Sequence, residues 1–290
     1  MKIEKNSRNV LTIRMDANQG FEQWFLLSSD RHFDSNLCDR ELQIRHMDEC
    51  KKRKALILDF GDFFDAMQGR YDPRKNYPDM RTEYSEELQN GKAYLDVIVQ
   101  DAVKFLKPYA PLFGLIARGN HETSIQRHND TDLIDRLVSS LNEKAGTAVN
   151  VGHYGGWVRF MFTIGKTQTQ SINLKYFHGS GGGGEVTKGT IQSNRQAVIL
   201  PDAHIVVNGH IHESWILSMA RERLTERGVV AQDIQTHLRT GTYKNDYGDG
   251  AENWHVERGA PPKPRGAVWL RFYYDRKAAR YELIQAIDNG

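Results

Sequence analysis

Short apolar runs recur through the first two thirds of the chain, separated by longer amphipathic stretches. "QWFLLSS" (23–29), "ALILDF" (55–60) and "PLFGLIA" (111–117) each hold a near-continuous apolar segment of strand length. A charged amphipathic stretch from about Asn36 to Lys54 separates the first two, and a longer helical pattern ending before Pro108 separates the second from the third. Such runs alternating with helices predict parallel strands buried on both faces.

From Gly156 the pattern changes. "WVRFMFTI", "QSINLKYF", "AHIVVN", "ESWILSMA", a weaker run near 229–238, "GAVWLRFYY" and "RYELIQAI" predict a strand-rich second half with one helix near 187–199. Together the halves predict two packed sheets with helices outside, an α/β sandwich. Two polar stretches interrupt it, 66–90 with mixed basic and aromatic residues and 241–265 rich in glycine and proline. Loops of this length serve as lids or binding loops or are plain surface insertions, and the residues leave both readings open. No repeat or linker divides the chain, so residues 1–290 read as one domain carrying these two insertions.

Composition narrows the class. The 290 residues, 39% hydrophobic, suffice for a large core, and 39 Lys+Arg against 37 Asp+Glu is too even for a surface that coats nucleic acid. Cys38 and Cys50, the only cysteines, offer neither a disulfide framework nor a thiolate metal site. The N-terminal residues lack an apolar core of signal-peptide length and no later run has the length to span a bilayer, so the expected location is cytoplasmic, with no membrane partner.

The chemistry lies where the apolar runs end. After "WFLLSS" comes Asp30-Arg31-His32, after "LILDF" comes Gly61-Asp62-Phe63-Phe64-Asp65, and after "FGLIAR" comes Gly119-Asn120-His121-Glu122. His178-Gly179 follows "INLKYF", and Gly209-His210-Ile211-His212 follows "HIVVN". Sites in α/β sheets form at the carboxyl ends of strands, so these five clusters can converge although they are scattered along the chain. Aspartate, histidine and asparagine without cysteine favour Mn²⁺, Fe²⁺, Zn²⁺ or Mg²⁺. The ligands are too many for one tetrahedral ion and fit a two-metal centre, with ions ~3.5–4 Å apart, which predicts hydrolysis of phosphate esters.

The ordered set Asp30-x-His32, Gly61-Asp62-x-x-Asp65, Gly119-Asn120-His121-Glu122, His178 and Gly209-His210-x-His212 resembles the calcineurin-like metallophosphoesterase superfamily, block by block over roughly residues 23 to 215. The resemblance implies a four-layer α-β-β-α sandwich with a dinuclear site. It makes Asp30, His32 and His212 ligands of one ion and Asn120, His178 and His210 ligands of the other, with Asp62 bridging. His210 and His212 then serve different ions, although two residues apart in an extended chain would face the same side. Two divalent ions are implied, Mn²⁺ first, with Fe, Zn, Ni or Mg as alternatives. The implied mechanism is attack by a metal-bridging hydroxide, with His121 protonating the leaving alkoxide or contacting the phosphoryl group. Glu122, standing where the family more often has aspartate, would orient the His121 ring.

Further residues are candidates of a second rank. Arg118 reads either as an exposed charge or as a phosphoryl contact, and His255 as a surface histidine or as part of a loop covering the site. Asp65 is expected to support the site by hydrogen bonds, "GSGGGG" (179–184) to be a turn, and His153, His204 and His237 to be packed or surface histidines. Within phosphate-ester hydrolysis, a phosphodiesterase or nuclease acting on a nucleotide or nucleic acid is favoured over a phosphomonoesterase or protein phosphatase, and a non-catalytic scaffold stands last. Oligomeric state is not legible.

Overall fold

A computed structural model describes residues 1–66, 80–247 and 254–288, the side chains of Trp254 and His255 apart. The first of its two sheets contains β3 (Glu22–Ser28), β4 (Leu56–Asp59), β5 (Phe113–Ile116), β6 (Asn150–Val151), β12 (Gly266–Asp275) and β13 (Ala278–Ile287), in the order β13-β12-β3-β4-β5-β6. β3 through β6 run parallel, as the apolar runs predict, while β12 and β13 add antiparallel strands at one edge. All four residues of β4 are buried. Leu56 and Leu58 enter the core between the sheets, whereas Ile57 joins the core under the helices. Burial on both faces explains the near-continuous apolar run.

The second sheet contains β1 (Lys2–Ser7), β2 (Val10–Ala17), β7 (Gly155–Ile164), β8 (Gln168–Phe177), β9 (Ile205–Asn208), β10 (Ser214–Leu224) and β11 (Val230–Thr240), ordered β1-β2-β7-β8-β9-β11-β10. Val158, Phe160, Phe162 and Ile164 of β7 point into the inter-sheet core, while Arg159 between them is exposed. β1 and β2 escape the sequence reading because β1 is mostly exposed and β2 interleaves charged residues with its buried ones.

Helices α1 (Arg40–Arg53), α3 (Tyr94–Leu106) and α5 (Leu133–Ala145) supply buried apolar faces to the cluster against the first sheet. Over the second sheet lies α6 (Thr190–Ile199), whose Gln192 Oε1 accepts from Arg239 Nη2 at 2.9 Å, on the face of β11 opposite inward-pointing Leu238. This completes the expected α-β-β-α layering, with α6 as its thin fourth layer. The 66–90 insertion contains α2 (Thr82–Gln89), and the 241–265 insertion contains α7 (Trp254–Glu257); residues 67–79 and 248–253 lie outside the described set. α4 (Asn120–Asn129) begins at the end of β5. No described helix is long and apolar enough to cross a membrane.

β3, β4 and β5 are mutually parallel, and β8, β9 and β11 are likewise parallel, so each set ends its strands on one side. All five polar clusters follow these ends. A sixth segment, Gly241–Lys244, follows β11.

Candidate metal centre

The strand ends turn sharply to aim the site residues. Asp30 (φ 53°), His32 (φ 44°), Asp62 (φ 52°), His210 (φ 73°) and His212 (φ 58°) all occupy the left-handed region. For non-glycine residues this region carries strain on the order of 1–3 kcal/mol each, and such strain gathers where function over-determines the backbone. Neighbouring glycines permit the close approach. A Cβ on Gly119 would lie 2.1 Å from Asp62 Oδ1, and one on Gly209 would lie 2.2 Å from Ser29 Oγ and 2.5 Å from Asp30 Oδ2.

Backbone bonds tie the turns together. Asp30 N donates to Gly61 O at 2.9 Å and His32 N to Asp62 O at 3.1 Å. Gly209 N donates to His178 O at 2.8 Å, and His210 N reaches Asp30 Oδ2 at 3.0 Å. Beneath them Arg31, fully buried, donates through Nε to Asp59 Oδ2 at 2.6 Å, through Nη1 to Gln43 Oε1 at 2.9 Å and through Nη2 to Ser28 Oγ at 3.0 Å. A buried ion pair with this many partners fixes the turn that carries Asp30 and His32. Arg31, Asp59 and Gln43 went unnoticed in the sequence because nothing in their spacing shows that they meet.

Donor atoms of Asp30, His32 and His212 come within 4.8 Å of one another, and so do those of Asp62, His178 and His210. In the first group His32 Nε2 lies 3.0 Å from His212 Nε2, which lies 3.5 Å from Asp30 Oδ1. In the second, His178 Nε2 lies 3.1 Å from Asp62 Oδ2 and 3.0 Å from Asn120 Oδ1, and Asn120 Oδ1 lies 2.7 Å from His210 Nδ1. His210 and His212 thus part company, one to each group. The left-handed turn beyond β9 replaces the extended geometry that would have kept them on one side.

The donor chemistry fits divalent cations. His32 Nδ1 faces Asp65 Oδ1 at 2.7 Å and His178 Nδ1 faces Phe60 O at 3.0 Å, so each ring donates outward and turns Nε2 inward. Lone pairs of imidazole, carboxylate and carboxamide then gather at this end of the sheets, as a divalent cation requires. Burial disfavours charge on His178, yet the Asp62 carboxylate holds the ring's pKa up to about 10, a sign that the spot attracts positive charge. Burial pushes His32 down to about 4 against the pull of Asp65, keeping it in the neutral, ligating form. Burial alone would raise Asp30 and Asp62. The His212 bond and nearby histidine charges instead hold Asp30 at about 2, while His178 and His121 keep Asp62 well below the ordinary carboxylate range.

His121 stands beside both groups. Its Nδ1 lies 2.5 Å from the Asp65 carbonyl oxygen, and its Nε2 lies 3.6 Å from Asp62 Oδ2. The expectation that Glu122 orients this ring is corrected. Glu122 Oε2 accepts from Gly119 N at 2.7 Å and Asp62 N at 3.2 Å, and Oε1 accepts from Phe64 N at 2.9 Å. Its longer arm folds back to cap α4 and staple the Asp62 turn, and burial with the Asp62 charge pushes its pKa up to about 8. The Asp65 backbone holds His121 instead.

Arg118 as a phosphoryl contact is also corrected. It pairs with Asp132 at 2.7 Å and Asp135 at 3.2 Å at the start of α5 and donates to Gly152 O at 3.0 Å, so its charge is spent on the scaffold. His255 falls in α7 with its side chain outside the described set. Among the packed histidines, His237 meets Gln235 Oε1 at 3.0 Å. Cys38 and Cys50 are both free and buried.

The site opens into a cleft of about 560 Å³. His32, Asp62, Asn120 and His121 line it, with the glycine run 181–184 and the segment from Arg258 to Lys263 among its walls. Lys244, Arg258, Ala260, Pro261 and Lys263 bring described parts of the 241–265 stretch to this cleft, and Lys244 is a residue missed in the sequence. Lys244 follows a strand whose exposed first half weakens its pattern, so "GTYK" does not stand out in the sequence as a sixth cluster at a strand end.

No family model and no curated protein matches the chain. Among solved structures, similarity is found to a 5'-nucleotidase candidate from Staphylococcus aureus at 13% identity and a TM-score of 0.46, over 93% of this chain and 55% of that one. This chain thus spans about half that protein's length. A predicted phosphoesterase from Streptococcus pneumoniae aligns at 12% identity and a TM-score of 0.29, over 91% of this chain and 90% of that one. GAP50, the anchor in the inner membrane complex of Plasmodium, aligns at 10% identity and a TM-score of 0.41, over 91% and 84%. In its α-β-β-α layering and in the ordered blocks that meet at one place, the chain resembles the calcineurin-like metallophosphoesterases.

Proposed function

We propose that this chain hydrolyses phosphate esters with two divalent ions, one held by Asp30, His32 and His212, the other by Asn120, His178 and His210, with Asp62 between them. The observation that carries the reading is the assembly, beside one cleft, of two donor groups that each join two buried residues to a half-buried histidine, with His121 alongside. Bound ions would supply Lewis-acid stabilisation of phosphoryl charge and a water of lowered pKa. Manganese is the first choice for an oxygen- and imidazole-rich set without thiolates.

The chain's own residues divide the remaining work. Asp65 fixes His32 through its carboxylate and His121 through its carbonyl, so a single residue orients a ligand and a proton carrier. With Nδ1 committed to that carbonyl, His121 has Nε2 to hold a proton for the leaving oxygen. Protonation helps an alkoxide leave, and a cleft of about 560 Å³ has room for a second ester substituent. On those grounds the reading favours phosphodiesters, including nucleotide or nucleic-acid substrates, over phosphomonoesters.

Turnover of bis-p-nitrophenyl phosphate, a cyclic nucleotide, single-stranded DNA and a phosphomonoester by the Mn²⁺-loaded protein tests this. Diester hydrolysis is expected. Activity confined to monoesters would move the assignment to a phosphomonoesterase, and no activity on any ester with two ions bound would favour a scaffold.

A further inference from the structure

Glu122 is committed to the Asp62 turn, and a different carboxylate reaches His121 through a peptide bond. The His121 ring faces Asp65 O with Nδ1 at 2.5 Å, and a carbonyl only accepts, so Nδ1 is the donor. That carbonyl belongs to the peptide unit joining Asp65 to Ala66, whose N–H donates to Asp34 Oδ2 at 2.9 Å. A peptide unit is planar, so holding its N–H fixes the direction of its carbonyl. Asp34 Oδ1 also accepts from Asp65 N at 2.6 Å, which fixes the preceding peptide unit as well.

Asp34 is itself held. It is buried, and Tyr94 Oη, at the start of α3, donates to its Oδ2. Ala66 lies at φ 47°, in the left-handed region, which is strained for a residue with a Cβ. Two amide bonds to one carboxylate hold the chain in that conformation. An N–H bonded to a carboxylate polarises the carbonyl of its own peptide unit, and this strengthens the bond from His121.

We infer that Asp34 is a positioning residue for His121: through the Asp65–Ala66 peptide it sets the tautomer and direction of the ring, leaving Nε2 to face the leaving oxygen. The assignment rests on the phosphate-ester reading for what Nε2 does, but the state of the ring can be read without turnover. Ring N–H signals are recorded by NMR on ¹⁵N-histidine-labelled, Zn²⁺-loaded protein for wild type, Asp34→Asn and Tyr94→Phe. His121→Ala identifies the His121 signal, and metal content is determined for each protein. The wild type is expected to show a proton on Nδ1 in slow exchange. Asp34→Asn sets an NH₂ group against one of the two backbone donors, and is expected to speed that exchange by about tenfold or more at unchanged metal content, with Tyr94→Phe speeding it less. In turnover, Asp34→Asn should cost about tenfold or more on a dinucleoside phosphate, whose leaving group is an alkoxide, and less on bis-p-nitrophenyl phosphate. In a His121→Ala background it should cost nothing further.

An unchanged His121 Nδ1–H in folded Asp34→Asn overturns the inference, as does a wild-type ring protonated on Nε2 alone. Should Asp34→Asn not fold, Tyr94→Phe decides, and unchanged exchange there overturns it too. Equal loss on both esters, or further loss in the His121→Ala background, would make Asp34 a residue of the scaffold only and likewise overturns it. If Asp34→Asn loosens the ring but the wild type hydrolyses no ester, the functional reading fails while this assignment stands.

Discussion

Asp65 Oδ1 lies 2.7 Å from His32 Nδ1, so a carboxylate outside both of the proposed ligand sets fixes the tautomer of a residue inside one. Partners of this kind orient a ligand ring and raise its basicity, and their removal costs about 10–100-fold in metal affinity. Asp65→Asn is expected to weaken the ion at the Asp30, His32 and His212 group within that range. Titration with Mn²⁺ reads this as one weakened site and one near wild type, whereas equal weakening of both would speak against it.

The separation of His210 from His212 makes a paired prediction. His212→Ala should lower occupancy at the Asp30 and His32 group, and His210→Ala at the Asp62, His178 and Asn120 group, each leaving one ion per chain and removing ester turnover. Metal analysis of the two variants decides it. Loss of both ions from either single variant would mean that the groups do not bind independently.

Glu122 should matter to stability before chemistry. Its carboxylate serves three backbone amides, so Glu122→Ala orphans buried donors and is expected to lower unfolding free energy by about 3 kcal/mol or more. Glu122→Gln keeps one acceptor oxygen and should fall between. Denaturant midpoints check the order. A stable Glu122→Ala protein with impaired turnover alone would restore the orienting role that sequence reasoning assigned to it.

Acid sensitivity has a source away from the metal site. Burial, with the Arg31 charge, depresses His46 to about 4, and its Nδ1 lies 2.9 Å from Tyr243 Oη. The unfolded ring, near 6.5, takes up a proton first as pH falls. Its stabilising contribution is therefore whole above pH ~6.5 and is lost progressively down to pH ~4, amounting to about 2–3 kcal/mol. His46→Gln should flatten the change in denaturation midpoint between pH 7 and pH 5 relative to wild type. An equal change in both proteins would exclude His46 as its source.

Much of the site was legible because each polar cluster directly follows an apolar run, and strand ends are where parallel sheets place chemistry. Asp30, His32, Asp62, Asn120, His178, His210 and His212 show themselves in this way, and the structure brings them together. What stayed hidden depends on partners remote in sequence. Arg118 reads either as an exposed charge or as a substrate contact until Asp132 and Asp135, at the start of α5, pair with it. Glu122 reads as a partner of His121 until its longer side chain reaches amides in the Asp62 turn. Arg31 and Asp59 are single letters in two blocks whose buried pairing only the fold reveals, and Lys244 follows a strand whose exposed first half weakens its pattern. In the fold, the central strands were clear from double-sided burial, whereas β1 and β2, lying at a sheet edge with one charged face, were not.

The central claim is that two divalent ions sit in two donor groups of one catalytic cleft. Its most direct test is metal stoichiometry after Mn²⁺ loading and removal of free ion, measured together with ester hydrolysis on the same wild-type and Asp62→Asn samples. Two ions per chain with diester turnover, both reduced in Asp62→Asn, is the predicted result. Fewer than two ions in the wild type, or hydrolysis that survives full metal removal, would contradict it.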